Sequence, residues 1–473
     1  MRSLLKRTLV SGITAALVAS ASIGVAASGA GRTEAATASR SRPQSGVGQA
    51  VLRTSGLRAD VWPVTECGTY SGRGCSPTSA RVDLERPTFS NPTNITNPLF
   101  PISTLDSVAL LGVVDGKPFR AETKRLPQTD VVNWDGQRVE VVISQYTAYL
   151  DGLIDEVAID RYAQADDGSV WYLGEDVFDY RDGAIAITEG TWLAGRDGPA
   201  AMIMPANPKV GDVFRAESVV GIVFEELEVK AINQTVDGPR GPVSGVVVMS
   251  ELHLDGTHSN KVFAPGYGEF DSSHGPDTEA LAVAAPTDVV GTEIPNELKL
   301  LSSSAWGILE NARLEDWDGA TPTLGRINRL WKAVKADQPP RVVATMRKAL
   351  RALARGVKKQ NPGVTAQAAV DVAQAAIDLQ LRYGGRVDVA RFHLHSQQLR
   401  VHAAADNAAG VTGEVGTLEW IRDRIASEFD AATQVDLDAG LRDLRTAADA
   451  GNLAASSDIA ARLAARIRSV AGR

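Results

Sequence analysis

The chain has 473 residues, a formal net charge of -8 and 44% hydrophobic residues. Mild acidity with ordinary apolar content argues against a dedicated nucleic-acid binder and requires no charged partner. The length exceeds what one hydrophobic core usually serves, so two domains are expected after an N-terminal leader.

The first residues read MRSLLKRTLVSGITAALVASASIGVAASGAG, a basic start, an apolar run and a small-residue end. That order is expected of a secretory signal peptide over 1–30; the rival is a retained membrane span, which the absence of stop-transfer charges disfavours. Residues 31–55 are Ala, Thr, Ser, Arg and Gly with too little apolar content to offset ordering entropy, as in a disordered leader. Cys67 and Cys75 flank GTYSGRG. In an oxidising compartment such a pair can close a disulfide, whereas two thiols without a nearby His cannot complete a zinc shell.

From 56 to 290 the apolar residues alternate or form short runs, as in RVEVVISQYTAY, VWYLGEDVF, FEELEVKAI and PVSGVVVMSELHL. DGK, DGL, DDGS, RDG and DGPRG separate them, and Asp-Gly between β-branched and aromatic runs is a hairpin signal. An antiparallel sheet, folded into a sandwich or partial barrel, is expected.

Over 297–473 the pattern changes to Ala, Leu and Arg at helical spacing. In RVVATMRKALRALARGVKK, Val343, Met346, Leu350, Leu353 and Val357 recur every three or four residues. Six further helices are expected, in LGRINRLWKAVKA, TAQAAVDVAQAAIDLQLRY, VDVARFHLHSQQLRVHAAADNA, EVGTLEWIRDRIASEF, VDLDAGLRDLRTAADA and SSDIAARLAARIRSV, forming an antiparallel bundle. The fold class is α+β.

NPLFP (97–101), WYLGED (171–176), EGTWLAGRDG (189–198), MPANPKVGD (204–212) and FAPGYGEF (263–270), in this order, resemble the motif series of a family of exported bacterial proteins without assigned biochemical function. The resemblance covers roughly Asn91 to Phe270. It implies a shared β fold and an envelope or extracellular address, and no catalytic residue follows from it. Members often carry an aromatic-rich strand after NPxFP, where this chain has ISTLDSVALLGVV. The helical half is similar to helical regions of other uncharacterised actinobacterial exported proteins, again with no activity implied.

Candidate chemistry starts with Glu175, Asp176, Glu189 and Asp197 beside Trp171, Tyr172 and Trp192. Paired carboxylates with stacking aromatics suit glycoside hydrolysis, yet acidic residues beside Gly are also what hairpin turns contain. Asp388, His395 and His402 recur every seven residues on one helical face. Successive members lie about 10.5 Å apart, too far for one ion, so a metal would join a single histidine with Asp406 or with a carboxylate of a facing helix, Glu310, Glu315 or Asp316. Ser272 or Ser273 with His274 is a triad on paper only, because a triad is a matter of geometry; His253 and His258 flank LDGT nearby. DLDAG at Asp436 starts like a calcium loop, but Ala447 stands where the bidentate Glu belongs. No GxSxG elbow, HExxH or Walker loop occurs, and no cofactor is expected. Residues 341–359 hold seven cationic and no acidic side chains. Contact with an anionic membrane surface competes there with pairing to Asp371, Asp378, Asp423 and Glu428 of the following helices, the reading preferred here.

These patterns point to an exported, non-enzymatic binding or interaction module whose partner is a small molecule, a polysaccharide or an envelope protein. The alternative is an exported hydrolase acting on envelope polysaccharide or ester through 171–197, and a third reading is a metal-binding bundle.

Overall fold

The computed structural model describes residues 75–274 and 277–471. The expected signal peptide, the leader and Cys67 lie outside the described residues. Cys75 is half-buried against Phe224 and Leu252.

Among the described residues, one antiparallel sheet of fourteen strands precedes eight long helices, so the α+β class and its order along the chain hold. The strands are β1 (Ser107–Val114), β2 (Lys117–Trp134), β3 (Gln137–Leu150), β4 (Leu153–Gln164), β5 (Val170–Arg181), β6 (Ala184–Ile187), β7 (Trp192–Leu193), β8 (Ala201–Met204), β9 (Val213–Val219), β10 (Val223–Gly238), β11 (Gly241–His253), β12 (His258–Ala264), β13 (Gly268–His274) and β14 (Asp277–Ala284). They run β6-β5-β4-β3-β2-β1-β14-β13-β12-β11-β10-β9, with β7 and β8 both on β5. The turns Asp115-Gly116, Asp135-Gly136, Asp151-Gly152 and Asp182-Gly183 have positive φ at both residues. Two such residues make the type I′ loop that suits the twist of a two-residue hairpin, which is why Asp-Gly sits between these strands. Strand β8 packs against β9, and one core draws on both halves of the path, from Val132, Val141 and Tyr172 to Phe214, Met249 and Phe263. The sheet therefore curls around its own interior.

Three of the segments singled out in the sequence, NPLFP, MPANPKVGD and FAPGYGEF, meet at one joint in that curl. Asn97 is buried; its amide donates to Gly168 O and Pro205 O at 3.0 and 3.1 Å, and its Oδ1 accepts from Leu99 N at 3.0 Å. Gly266 N of the APGYG turn donates to Pro98 O at 3.0 Å. The segment around Asn97 thus ties the β4–β5 loop and the end of β8 to the β12–β13 turn.

The helices are α1 (Asn296–Arg313), α2 (Trp317–Val334), α3 (Pro340–Lys358), α4 (Pro362–Leu381), α5 (Asp388–Ala404), α6 (Ala408–Ile425), α7 (Ala431–Asp449) and α8 (Leu453–Ala471). Helix α1 has no counterpart among the sequence expectations, and α2 begins earlier than expected, carrying Pro322 within it. DLDAG lies inside continuous α7, with Asp436 in an ion pair to Arg466, so the calcium-loop pattern does not apply. Helices α1 to α4 share a core with Ala109, Val283 and Ala284 of β1 and β14. Phe392, Val415, Leu441 and Leu463 belong to a second core of α5 to α8, and Trp420 of α6 packs on Tyr149, Val157 and Tyr180 of the sheet.

A buried charge network crosses the seam. Glu122 of β2 meets Arg120, Arg391 of α5 and Arg424 of α6; Asp378 of α4 meets Arg120 and Arg391; Asp388 meets Arg391 and Arg424. Three guanidiniums and three carboxylates balance, as burial of charge demands.

Candidate functional site

Alternation along β5 separates the expected acidic site. Glu175 points into the sheet's interior, where the Tyr172 hydroxyl lies 2.8 Å from its carboxylate and 2.5 Å from Asp160. The next residue, Asp176, faces the other way and pairs with Arg161 at 2.8 Å. Glu189 is exposed in the β6–β7 connection. Asp197 accepts from Leu193 N and from Arg196, and these hydrogen bonds hold its carboxyl below the usual range. Trp192 is fully buried, donating to Glu217 at 2.8 Å; Trp171 donates to Ser169 and stacks on Trp134. Neither tryptophan offers a face to a polysaccharide, so these seven residues form core and turns and not one site.

The expected histidine site is corrected in its partners. Asp406 is exposed in the turn after α5, with φ of 53°. Glu310 and Glu315 are exposed, and Asp316 caps α2 by accepting from Gly319 N. Glu414 of α6 meets the histidines instead: His395 Nδ1–H donates to its Oε2 at 2.8 Å, and His402 Nε2 lies 4.0 Å from its Oε1. Helix α6 approaches α5 this closely at Gly410, where a Cβ would come within 2.5 Å of the His402 ring.

These residues line a cavity of about 400 Å³ where β1, β2 and the β3–β4 hairpin meet α3 to α6. Tyr149 enters from the sheet and stacks on His395, with centroids 5.4 Å apart and planes at 14°. Both side chains are buried. Neither His395 Nε2 nor Tyr149 Oη has a hydrogen-bond partner among the described residues. Because Glu414 accepts from Nδ1, neutral His395 carries its lone pair on Nε2. The Tyr149 phenol is pushed up, first by burial and then by the Glu122 charge, so it keeps its proton.

Amides complete the lining. Gln367 and Gln398 hydrogen-bond each other at 2.8 and 2.9 Å, Gln367 donates to Asp371 at 3.0 Å, and Gln374 donates to Asp378 at 3.1 Å. Burial raises the Asp371 carboxyl and, as the largest cause, lowers His402. Arg120, the cation in this wall, is bound to Asp378 and Glu122 at 2.7 and 2.5 Å. The arrangement holds a hydrogen-bonding, uncharged guest well and an anion poorly.

A second polar cluster lies on the sheet. Glu225, Glu251 and His253 bring one ligand atom each within 4.8 Å of one another, the only such group found among the described residues. Ser259 donates to Glu251 at 2.9 Å, and the Lys261 ammonium stands 3.2 Å from the same carboxylate. Burial first, then the charge of Glu225, pushes Glu251 up to about 8. Ser272, buried on β13, pairs in register with Lys261; Ser273, at the next position, takes the opposite face.

The sequence marked His395 and His402 through their seven-residue spacing. It gave no sign of Glu414 or Tyr149, which come from other elements. Scanned against known families, the chain matches no family model, and no curated protein matches it.

Proposed function

We propose that the protein is a binding module whose ligand occupies the cavity between β1–β3 and α3–α6, and that this ligand is a small neutral molecule rich in hydroxyl groups. One observation carries the reading: His395 Nε2 and Tyr149 Oη, two buried polar atoms without partners among the described residues, sit on stacked side chains of one cavity. An unsatisfied buried polar group costs ~1–3 kcal/mol, which a ligand able to reach it recovers. A ligand hydroxyl can donate to Nε2 and accept from Oη, while Gln367, Gln374 and Gln398 offer donors and acceptors for others. The volume lies within the range of small-molecule sites. Export, motivated by residues 1–30, would put such a binder among envelope sugars.

A second reading rests on the Glu414–His395 hydrogen bond, which also suits a general base acting on that hydroxyl. Calorimetry with a panel of monosaccharides, disaccharides and alditols tests both. Binding of at least one, weakened tenfold or more by His395→Asn and blocked by Thr345→Trp at the exposed rim, is the expected result. Product detected by chromatography would favour the second reading. Absence of heat and of thermal stabilisation across the panel refutes the proposal.

A further inference from the structure

Charge is distributed very unevenly along this chain. Between residues 319 and 360 there are eleven Lys and Arg and one acidic residue, Asp337, in a protein of formal net charge -8. Counted from the start of α2 at Trp317, which adds Asp318, the hairpin carries +9, and everything else carries -17. The side chains are displayed: Arg326, Arg329 and Lys332 recur at three-residue spacing on α2, Arg347, Arg351 and Arg355 at four-residue spacing on α3, and all six are exposed. Such spacings draw one stripe along each helix. The apolar residues face inward, with Ile327, Trp331, Met346 and Leu353 buried.

Pairing with the neighbouring acidic helices, the reading preferred from sequence, does not occur. Asp378 is taken by Arg120 and Arg391, and Asp423 by Arg422. Asp371 accepts from Gln367; Lys348 bears on its charge without forming an ion pair. No cation of the hairpin is in an ion pair with a described carboxylate.

We infer that the α2–α3 hairpin is a docking face for an anionic lipid surface. Charge complementarity is the argument. A bilayer containing acidic headgroups attracts juxtaposed Lys and Arg within about 10 Å at 0.1 M salt, while the -17 on the rest of the molecule is repelled and turns this face toward the surface. No large hydrophobic side chain is exposed on the hairpin, so contact is electrostatic and peripheral, without insertion. A single-stranded nucleic acid is the weaker fit, because the hairpin's two aromatic residues, Trp317 and Trp331, both pack against the helical core and neither is free to stack on a base.

Sedimentation of the full chain with phosphatidylcholine vesicles, with and without 30% phosphatidylglycerol, tests the inference. Binding to the acidic vesicles at 0.1 M NaCl and its loss at 0.5 M NaCl are expected. Each surface charge is worth about fivefold in such binding, so the quadruple variant Lys332→Ser, Arg347→Ser, Arg351→Ser, Arg355→Ser should bind at least a hundredfold more weakly. All four positions are exposed, and an unchanged melting temperature confirms the fold; the N-terminus is common to both proteins and cancels. Equal binding by variant and wild type, equal binding to neutral vesicles, or tighter binding to duplex DNA than to acidic vesicles would each overturn it.

Discussion

Arg424→Met tests whether the helices are held to the sheet by the buried charge network. The Arg424 side chain is fully buried and donates to Gln145, Glu122 and, at 2.7 Å, Thr147. Methionine fills much of the same volume and donates nothing. Gln145 and Thr147 lose their charged donor, at ~1–3 kcal/mol for each buried group left unsatisfied. Glu122 is not orphaned, since Arg120 and Arg391 remain at 2.5 and 3.2 Å. Breaking one member of a buried network costs about 3–5 kcal/mol, and these surviving partners keep the expected value near 3. Urea unfolding followed by tryptophan fluorescence reads it directly, because Trp420 of α6 donates to Tyr180 of the sheet at 2.7 Å. Acid titration adds a signature. Burial alone would raise the Glu122 carboxyl, but Arg120, Arg391 and Arg424 overcome that and hold it well below its ordinary 4.5. A depressed carboxylate contributes stability above pH 4.5 and loses it as the pH falls further, so wild type should lose stability there more steeply than the variant. A cost below 1 kcal/mol with an unchanged acid slope would refute the network's role.

Two other perturbations separate causes that the fold combines. Burial first, and then the Arg468 charge, lowers His393 from 6.5 to about 4. The unfolded chain binds that proton first, so stability should fall by about 3 kcal/mol as the pH drops from 6.5 to 4; His393→Gln should flatten this window in urea midpoints, and an unchanged slope would show that His393 is not its source. At Gly183, φ is +79° and a Cβ would lie 2.1 Å from Ala409 O and 2.5 Å from Gly413 N of α6. Gly183→Ala should cost about 2–4 kcal/mol, from backbone strain plus displacement of α6. Gly136→Ala, at φ of +72° with nothing within 4 Å, isolates the strain, and equal costs for the two would mean that α6 does not press on this turn.

The hairpins were legible because their information is local: Asp-Gly fixes a turn, and period-2 alternation fixes the faces beside it. That same alternation defeated the acidic, Trp-rich reading. Adjacent Glu175 and Asp176 must part to opposite faces, and a tryptophan on an inward position such as Trp192 is core by the same rule. Helix α1 escaped notice because Ser302, Ser303 and Ser304 interrupt its apolar pattern, and the start of α2 because Pro322 sits past its first turn. Tertiary packing overrides both local signals, through Leu298, Leu301, Ala305 and Ile308 on one side and Ile327 and Trp331 on the other. The cavity follows a different logic. Seven-residue spacing placed His395 and His402 on one face, but what makes His395 directional is Glu414, nineteen positions away on the next helix, and what faces it is a tyrosine of the sheet. Each element reads correctly alone as an amphipathic strand or helix. The polar seam arises only where inward faces of different period meet and cannot be filled by apolar side chains alone. Charge needed to hold that seam shut, Glu122 with its three arginines, lies beside the cavity and reaches its wall through Arg120, so rigid docking and an open, hydrogen-bonding pocket are consequences of one interface. A variant that loosens the network should therefore weaken ligand binding as well as stability, even though Arg424 does not line the cavity.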